Sequence, residues 1–274
     1  MYKLLSKILI VVVIYNRKII ESEAIQSLIN NSCLNNLDIL IYDNSPFPQK
    51  IPELQNINII YEHDISNPGV SKAYNYACQL GERMKKEWLL IFDQDSILPQ
   101  NSLNVYCEAL KKLPENIFII APKLYDDSNK LVSPCKYKFH RGFHLKKTKQ
   151  GLVKILNISF LNSGLLLNIN AIKQVGFFDE KLFDYSDHDF ILRFSKKYNN
   201  AFIINLIIKH SLSSSKNNNI LETTNRLKML RNAVLYYDKK HKTIFPFFWF
   251  MLRSLKLSFL NKNIEYIKIA FLGQ

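Results

Sequence analysis

Glycine is scarce in this chain, 7 of 274 residues, and the four cysteines are widely spaced with no C-x-x-C pair. Without paired cysteines the sequence offers neither a zinc site nor a disulfide framework, and a reducing cytoplasm suits it best. No apolar run reaches the ~18 residues needed to span a bilayer. The apolar stretch at 8–14 follows a basic start, but no small-residue cleavage site comes after it, so a secretory leader is not expected. There is no helix-turn-helix, zinc-finger or RNA-binding aromatic motif, so no nucleic-acid partner is expected. Tyr15-Asn16-Arg17-Lys18 holds no glycine. That argues against a nucleotidyltransferase, which places a glycine-rich, basic loop after its first strand.

What the chain does have is apolar content, 47%, enough for a core. Its length suits one large domain or one domain with an appendage. The net charge of +14 is gathered in two places. Residues 136–149 carry six basic side chains and no acid; from residue 216 onward eleven basic side chains meet three acids. Two basic segments on a near-neutral body point to local contact with anions, such as phospholipid headgroups or a phosphorylated substrate. A non-enzymatic module for lipid or nucleic acid would share that charge. It would have no need of Asp93, Asp95, Asp187 and His210 together.

Strands are predicted at 8–14, 37–42, 57–61 and 88–92, with helices at 19–30 and about 70–85. Repeated β-α-β units give a doubly wound, mostly parallel α/β sheet that binds ligands beyond the carboxyl ends of its strands. Asn16, Asp43, Asn67 and Asp93 fall just after those strands or in the loops that follow. Further on, the pattern predicts a helix over 103–113, a strand over 117–122 and a basic hairpin or loop over 125–154. A strand over 161–167, a short helix over 171–175 closed by Gly176, and an acidic loop passing into helix over 183–199 follow. A strand over 201–208 leads to His210, residues 213–219 read as a linker, and helices occupy the chain from 221.

Trp88-Leu89-Leu90-Ile91-Phe92 reads as a strand buried on both faces, and Asp93 and Asp95 follow it two positions apart. Alternation along a strand sends both carboxylates to one side. Two anions held that close repel unless a cation sits between them. Mg2+ or Mn2+ takes such oxygens and keeps positions open for phosphate. Taken alone, the pair also fits a solvated turn with capping Asp and Ser residues. The cluster Phe183-Asp184-Tyr185-Ser186-Asp187-His188-Asp189-Phe190 alone fits a helix N-terminus, where carboxylates favour the dipole. A lone histidine such as His210 is usually structural or exposed.

In this order, however, the motifs resemble the family 2 glycosyltransferases of GT-A fold, with the look of bacterial rhamnosyltransferase-like enzymes of surface polysaccharide synthesis. The resemblance rests on Val12-Val13-Ile14-Tyr15-Asn16-Arg17, Ile41-Tyr42-Asp43-Asn44-Ser45 and Asn67-Pro68-Gly69-Val70-Ser71-Lys72-Ala73-Tyr74-Asn75. It continues through Phe92-Asp93-Gln94-Asp95-Ser96, Asn162-Ser163-Gly164, the block from Gly176 to Arg193, His210 and Arg231-Asn232. It implies a nucleoside-diphosphate sugar held by Tyr15, Asn16, Asp43, Asn67, Lys72, Asn75 and Asp93. It also implies Mn2+ or Mg2+ on Asp95, Asp93 and His210, and an acceptor side with Ser163, Gly164 and Asp184. Asp187 would be the catalytic base of an inverting transfer, with Asp189 as the runner-up. Two departures stand out: Ser186-Asp187 replaces the usual Glu-Asp pair, and the glycines after the third strand are reduced to Pro68-Gly69.

The resemblance further implies a GT-A domain over 1–215, with its nucleotide-sugar half at about 1–100 and its acceptor half at about 101–215. Residues 216–274 would form a basic, amphipathic helical tail. Phe245-Pro246-Phe247-Phe248-Trp249-Phe250-Met251-Leu252 is rich in aromatics and is followed by Arg253 and Lys256. It reads as a helix lying in an anionic membrane interface and anchored by Trp249 and basic residues, or else as a packing or dimer-forming helix. The expected acceptor is then a saccharide carried on a lipid diphosphate, on the inner face of a bacterial cell membrane. The expected products are lipopolysaccharide O-antigen or capsule.

Overall fold

The computed structural model describes residues 2–31, 37–54, 57–210 and 220–272. The first half is the expected run of β-α-β units. Strands β1 (Ile8–Ile14), β2 (Leu37–Asp43), β3 (Ile57–His63) and β4 (Trp88–Asp93) are parallel neighbours in the order β4-β1-β2-β3. All seven residues of β1 are buried, because both faces of the sheet are covered. Ile8, Ile10, Val12 and Ile14 join the core on one side; Leu9, Val11 and Val13 join the core on the other.

Helices α1 (Tyr2–Leu5), α2 (Glu23–Asn30) and α3 (Val70–Arg83) belong to this half. The helix predicted over 19–30 splits into a 3-10 turn at Ile19–Glu21 and α2. Ser22 is the reason: it sits extended and its Oγ accepts the Ile25 N–H as an N-cap.

The second half departs from parallel order. After the two-residue β5 (Ser96–Ile97) come α4 (Ser102–Lys111), β6 (Ile119–Tyr125) and β7 (Leu131–Ser133). The segment read as a hairpin or loop over 125–154 contains β7 and three more strands: β8 (Cys135–Lys138), β9 (Arg141–His144) and β10 (Gly151–Lys154). The strands β8 and β9, with β11 (Ile158–Ser159), form a small antiparallel sheet. Next are β12 (Leu166–Asn168), α5 (Ile169–Val175), α6 (Ser186–Ser195) and β13 (Asn200–His210). The main sheet therefore runs β10-β13-β6-β12-β4-β1-β2-β3, with β12 antiparallel to both neighbours and β13 parallel to β6.

The strand predicted over 161–167 shortens to β12 because Gly164 takes φ +78, a left-handed conformation that breaks the pleat. Its N–H donates to Ile91 O at 2.6 Å and its carbonyl accepts from Tyr106 Oη at 2.6 Å. Gly176 closes α5 with φ +96, as expected.

Three helices complete the described chain: α7 (Ile220–His241), α8 (Phe245–Asn261) and α9 (Glu265–Leu272). They share a core of Leu227, Leu230, Val234, Phe250, Tyr266, Ile269 and Ala270. This appendage is seated on the sheet domain: Tyr237 is fully buried and its hydroxyl lies 2.9 Å from that of Tyr137 in β8. The expected linker at 213–219 and Cys33 lie outside the described residues; Cys78, Cys107 and Cys135 are buried free thiols.

Adding a Cβ at Gly164 would bring it to 2.5 Å from Pro122 Cγ and 3.0 Å from Ile208 Cδ1. With the left-handed φ, Gly164→Ala should cost at least about 2 kcal/mol. The measurement is the urea midpoint at unchanged m-value, and a wild-type midpoint would contradict the packing described.

Candidate active site

The carboxyl edge of the sheet opens into a cleft of about 460 Å³ whose floor is the turn Asp93-Gln94-Asp95. Gln94 fixes this turn to the end of β1. Its Oε1 accepts the Tyr15 N–H at 2.9 Å and its Nε2 donates to Tyr15 O at 3.2 Å. The α2 cap residue Ser22 donates its hydroxyl to Gln94 O at 2.9 Å. From below, Ser163 Oγ accepts the Asp93 N–H at 3.2 Å and pairs with Ser96 Oγ at 2.5 Å.

Strand β5 pairs with β13 so that Ser96 stands opposite His210. This brings in a histidine more than a hundred residues away in sequence. Its Nδ1 lies 3.1 Å from Ser96 Oγ and 3.4 Å from Asp95 Oδ1, and its Nε2 lies 3.8 Å from Asp93 Oδ2. Tyr74 donates its hydroxyl to Asp93 Oδ1 at 3.1 Å. Removal from water raises the pKa of Asp93 above the ordinary carboxylate value, and the charges of Asp95 and Asp187 add to this against His210 and Tyr74.

The three expected metal ligands are therefore neighbours. As arranged, the imidazole stands between the two carboxylates, one nitrogen toward each. Among the described residues no group of three His, Cys, Asp or Glu side chains is gathered as a metal site. The donor set itself fits a divalent ion: two carboxylates and an imidazole suit Mn2+ well, and a cation would favour the charged form of Asp93 that burial, with Asp95 and Asp187, opposes.

The expected sugar-nucleotide residues divide. Tyr15, Asn67 and Asp93 line the cleft. Asn16 stands at the end of β1 with φ +49, and its N–H donates to Ser45 Oγ at 3.0 Å. Three expected residues are turned to internal work. Asp43 is fully buried and accepts from Ser45 N, Gln49 Nε2 and Tyr61 Oη, each at 2.9 Å. Lys72 pairs with Asp64 at 2.8 Å. Asn75 ties α3 to the loop after α5 through Phe178 and Glu180. Two wall residues escaped sequence reasoning. Asn44 and Asn162 line the cleft, and each has a buried Oδ1 with no partner among the described residues. An orphaned acceptor in a cleft wall suits a ligand hydroxyl or N–H. Asn44 lies within a quoted motif, next to the aspartate that drew attention instead.

The acidic cluster also divides. Asp187, in the first turn of α6, lines the cleft and accepts its neighbour's N–H, from His188, at 2.7 Å. Asp189 is fully buried, and its oxygens meet Arg193 at 2.8 Å, Lys240 at 2.7 Å and His241 at 2.8 Å. Burial opposes its charge, but the bonds from His241, Lys240 and Arg193 lower its pKa to about 2. A carboxylate so occupied is a poor proton acceptor, and the geometry of Asp189, the runner-up for the base, is that of an anchor. Asp184 lies 3.8 Å from Arg226, and both line the cleft. Burial raises the Asp184 pKa, opposed by Arg226 and Arg253. Of the residues expected on the acceptor side, Ser163 is fully buried under the Asp93 turn and Gly164 packs on Pro122.

A second cleft of about 650 Å³ adjoins the first and shares Leu161, Asp184, Tyr185, Asp187 and Arg226 with it. Its other wall comes from β9 and α8, including Arg141, Trp249, Arg253 and Lys256. Trp249, expected at a membrane interface or else in a packing helix, is half-buried, donating Nε1–H to Phe139 O at 3.0 Å, with the Arg141 guanidinium 4.8 Å from its ring centre.

The family model for glycosyl transferase family 2 matches residues 9–171. The chain belongs to that family. It is similar to the dTDP-rhamnosyl transferase RfbF of Shigella flexneri, with 24% identity over 96% of this chain and 92% of that protein. Among solved structures it resembles S. aureus TarS 1-349, with TM-score 0.56 and 14% identity over 84% of this chain and 64% of that one. The chain thus spans just under two thirds of that structure's length. It also resembles the GalNAc-T7 structure with UDP, GalNAc and Mn2+, with TM-score 0.55 and 11% identity over 75% of this chain and 44% of that one. The protein is a glycosyltransferase with a GT-A-like mixed α/β fold and C-terminal helices, and the nucleotidyltransferase and binding-module alternatives fall away.

Asp189→Asn should destabilise the fold by about 3 kcal/mol at pH 7, since it leaves three basic groups facing a neutral amide. The pKa of Asp189 is depressed on folding, so its contribution is complete above the unfolded value near 4 and is lost as pH falls toward 2. Urea unfolding of both proteins should show the gap narrowing by about 1 kcal/mol between pH 5 and pH 3. A constant gap would contradict the ion cluster.

Proposed function

We propose that this glycosyltransferase moves a hexose or deoxyhexose, rhamnose favoured, from a nucleoside-diphosphate sugar to a saccharide acceptor with inversion. The observation that carries this is the placement of Asp187 in the wall of the cleft floored by Asp93-Gln94-Asp95. Rhamnose is favoured by the relative named a dTDP-rhamnosyl transferase. A nucleoside-diphosphate donor is supported by the TarS structures in complex with UDP-GlcNAc and with UDP.

The chemistry follows from the groups in the cleft. Asp187 takes the proton of the acceptor hydroxyl as that oxygen attacks the anomeric carbon on the face opposite the leaving diphosphate. The exposed Tyr15 ring offers a surface for the base, and the Asn44 and Asn162 amide oxygens accept donor hydroxyl or N–H groups. Asp95 and Asp93, with His210, would hold Mn2+ or Mg2+. Bound there, the ion neutralises charge on the diphosphate. Tyr74 and Ser163 orient Asp93 through the bonds to its carboxylate and its N–H.

The acceptor is proposed to be lipid-linked and reached at an anionic membrane, for lipopolysaccharide, O-antigen or capsule synthesis. Along α8 the exposed residues Phe248, Leu252, Leu255 and Phe259 form a stripe at helical spacing. Among the described residues no helix is long and apolar enough to cross a membrane, which leaves interfacial contact as the mode for this stripe.

Calorimetry with dTDP and Mn2+ tests the site. Asp95→Ala should abolish the Mn2+-dependent part of binding. Asp187→Asn should bind normally while transfer from dTDP-rhamnose falls ~10²–10⁴-fold. Normal transfer by Asp187→Asn would remove the base assignment, and unchanged Mn2+-dependent affinity in Asp95→Ala would remove the metal assignment.

For the stripe, co-sedimentation with phosphatidylglycerol vesicles should be lost in Leu255→Glu/Phe259→Glu and should weaken as salt shortens the Debye length from ~10 Å at 0.1 M. Equal pelleting of variant and wild type would retire the membrane contact.

A further inference from the structure

The two residues that turn β8 into β9 are an unusual pair. Lys138 and Arg141 are paired in the strands, so Phe139 and His140 alone form the loop, and they take φ +50 and φ +51. So tight a turn needs the left-handed conformation at both positions and is normally built from Asn and Gly. A Phe and a His are disfavoured there. The contacts they make must offset that strain.

Those contacts reach the C-terminal helices. The Phe139 carbonyl accepts the Trp249 indole N–H at 3.0 Å, and the Phe139 ring lies 5.2 Å from that of Phe245. The His140 ring stacks on Phe245 and lies beside Tyr237 and His241. Its Nδ1 is 3.2 Å from Tyr237 Oη, which is 2.9 Å from Tyr137 Oη. Burial raises the pKa of both phenols, so both keep their protons. Tyr137 then donates to Tyr237, and Tyr237 donates to Nδ1 of a neutral imidazole. In the opposite direction the Tyr137 proton would have no acceptor among the described residues.

A charge on His140 would find no counterion. Among the described residues no carboxylate pairs with it. On α7, His241 is bonded to Asp189, which Arg193 and Lys240 also hold, and Asp238 accepts the Phe247 N–H at 3.1 Å. On α8 it meets apolar Phe245, and on its own hairpin Lys138 and Arg141 flank it. Burial and the neighbouring His241 lower the pKa of His140. A released imidazole takes its proton near ~6.5. Docking is therefore complete above that value and weakens as pH falls toward the lowered one.

We propose that His140 is a pH-sensitive latch on the second cleft. Protonation of Nδ1 removes the acceptor from Tyr237, sets a cation beside His241 and releases the Phe139-His140 tip from α7 and α8. Arg141 and Gly142 directly follow the tip and line that cleft opposite Trp249. The β9 wall is thus held in place at neutral pH and swings free in mild acid.

Acrylamide quenching of the full chain tests the latch. Of the two tryptophans Trp88 is buried, so quenching reads Trp249, whose indole is bonded to the tip. It should rise at least about twofold as pH falls from about 7.5 to about 5. His140→Asn keeps an acceptor near the place of Nδ1, tolerates the left-handed turn and takes no charge. Its quenching should stay at the neutral wild-type level throughout. His140→Arg is always charged. At neutral pH it should quench as wild type does in acid, with faster amide hydrogen exchange over 139–144. Burial raises the pKa of Asp238 to about 6, so this residue titrates in the same range. A rise that persists in His140→Asn would assign the change to Asp238 or His241 and overturn the latch. A wild-type curve flat into acid, or wild-type exchange over 139–144 in His140→Arg, overturns it too.

Discussion

Two carboxylates placed two residues apart repel, and the rest of the site depends on how the chain holds them together. Like charges ~4 Å apart cost roughly 4 kcal/mol where the effective dielectric is ~20. A single hydrogen bond contributes only about 1 kcal/mol. Several are needed, and they converge on the turn Asp93-Gln94-Asp95-Ser96 from four elements. The Gln94 amide spans the Tyr15 peptide, and Ser22 binds Gln94 O from the start of α2. Ser163 supports Asp93 and Ser96 from before β12, and Tyr74 reaches Asp93 from α3. Gly164 is forced into its left-handed conformation by this arrangement, since the chain must run under the turn and against Pro122 in the same step.

The remaining repulsion shapes the electrostatics around it. Removal from water is the main reason that the pKa of Asp93 is raised, with Asp95 and Asp187 adding to it, and the imidazole lodged between the two acids works against that rise. Among the described residues Arg226 is the one Lys or Arg lining that cleft, and it faces Asp184, not the Asp93 turn. Positive charge accumulates instead on the far side of Asp187. The reacting groups would then lie along a boundary between an acidic cleft and a basic one.

The parallel half of the fold was legible from the sequence because its signals are local. Strands buried on both faces appear as unbroken apolar runs such as 8–14 and 88–92. The acid pair was visible for the same reason, lying directly after one of these runs. What was not legible depends on contacts between distant segments. Nothing near Asp43 says that Gln49 and Tyr61 will consume its oxygens, and nothing near Ser163 says that it will be sealed beneath Asp93. The short antiparallel sheet of β8, β9 and β11 escaped because its strands have two to four residues, too few for a period to register. In α8 the aromatic richness reads as one surface, membrane-facing or else packing against protein. Packing divides it, with Phe250 in the helical core, Trp249 over the second cleft and Phe248 outward.

The fate of Asp187 and Asp189 shows why the C-terminal helices belong to the site. Two residues apart on α6, they are separated by about 200° around the helix axis. If Asp187 faces the cleft, Asp189 must point into the protein, where an isolated carboxylate is too costly to keep ionised. Arg193, one turn along α6, supplies one partner, and the others, Lys240 and His241, come from the end of α7. Lys240 also holds Asp179 at 2.7 Å, in the loop before α6. The same residues that dock the appendage therefore fix the rotation of α6. A rotation that freed Asp189 would carry Asp187 out of the shared wall. The appendage thus sets the direction of the proposed base as well as forming one wall of the cleft beside it.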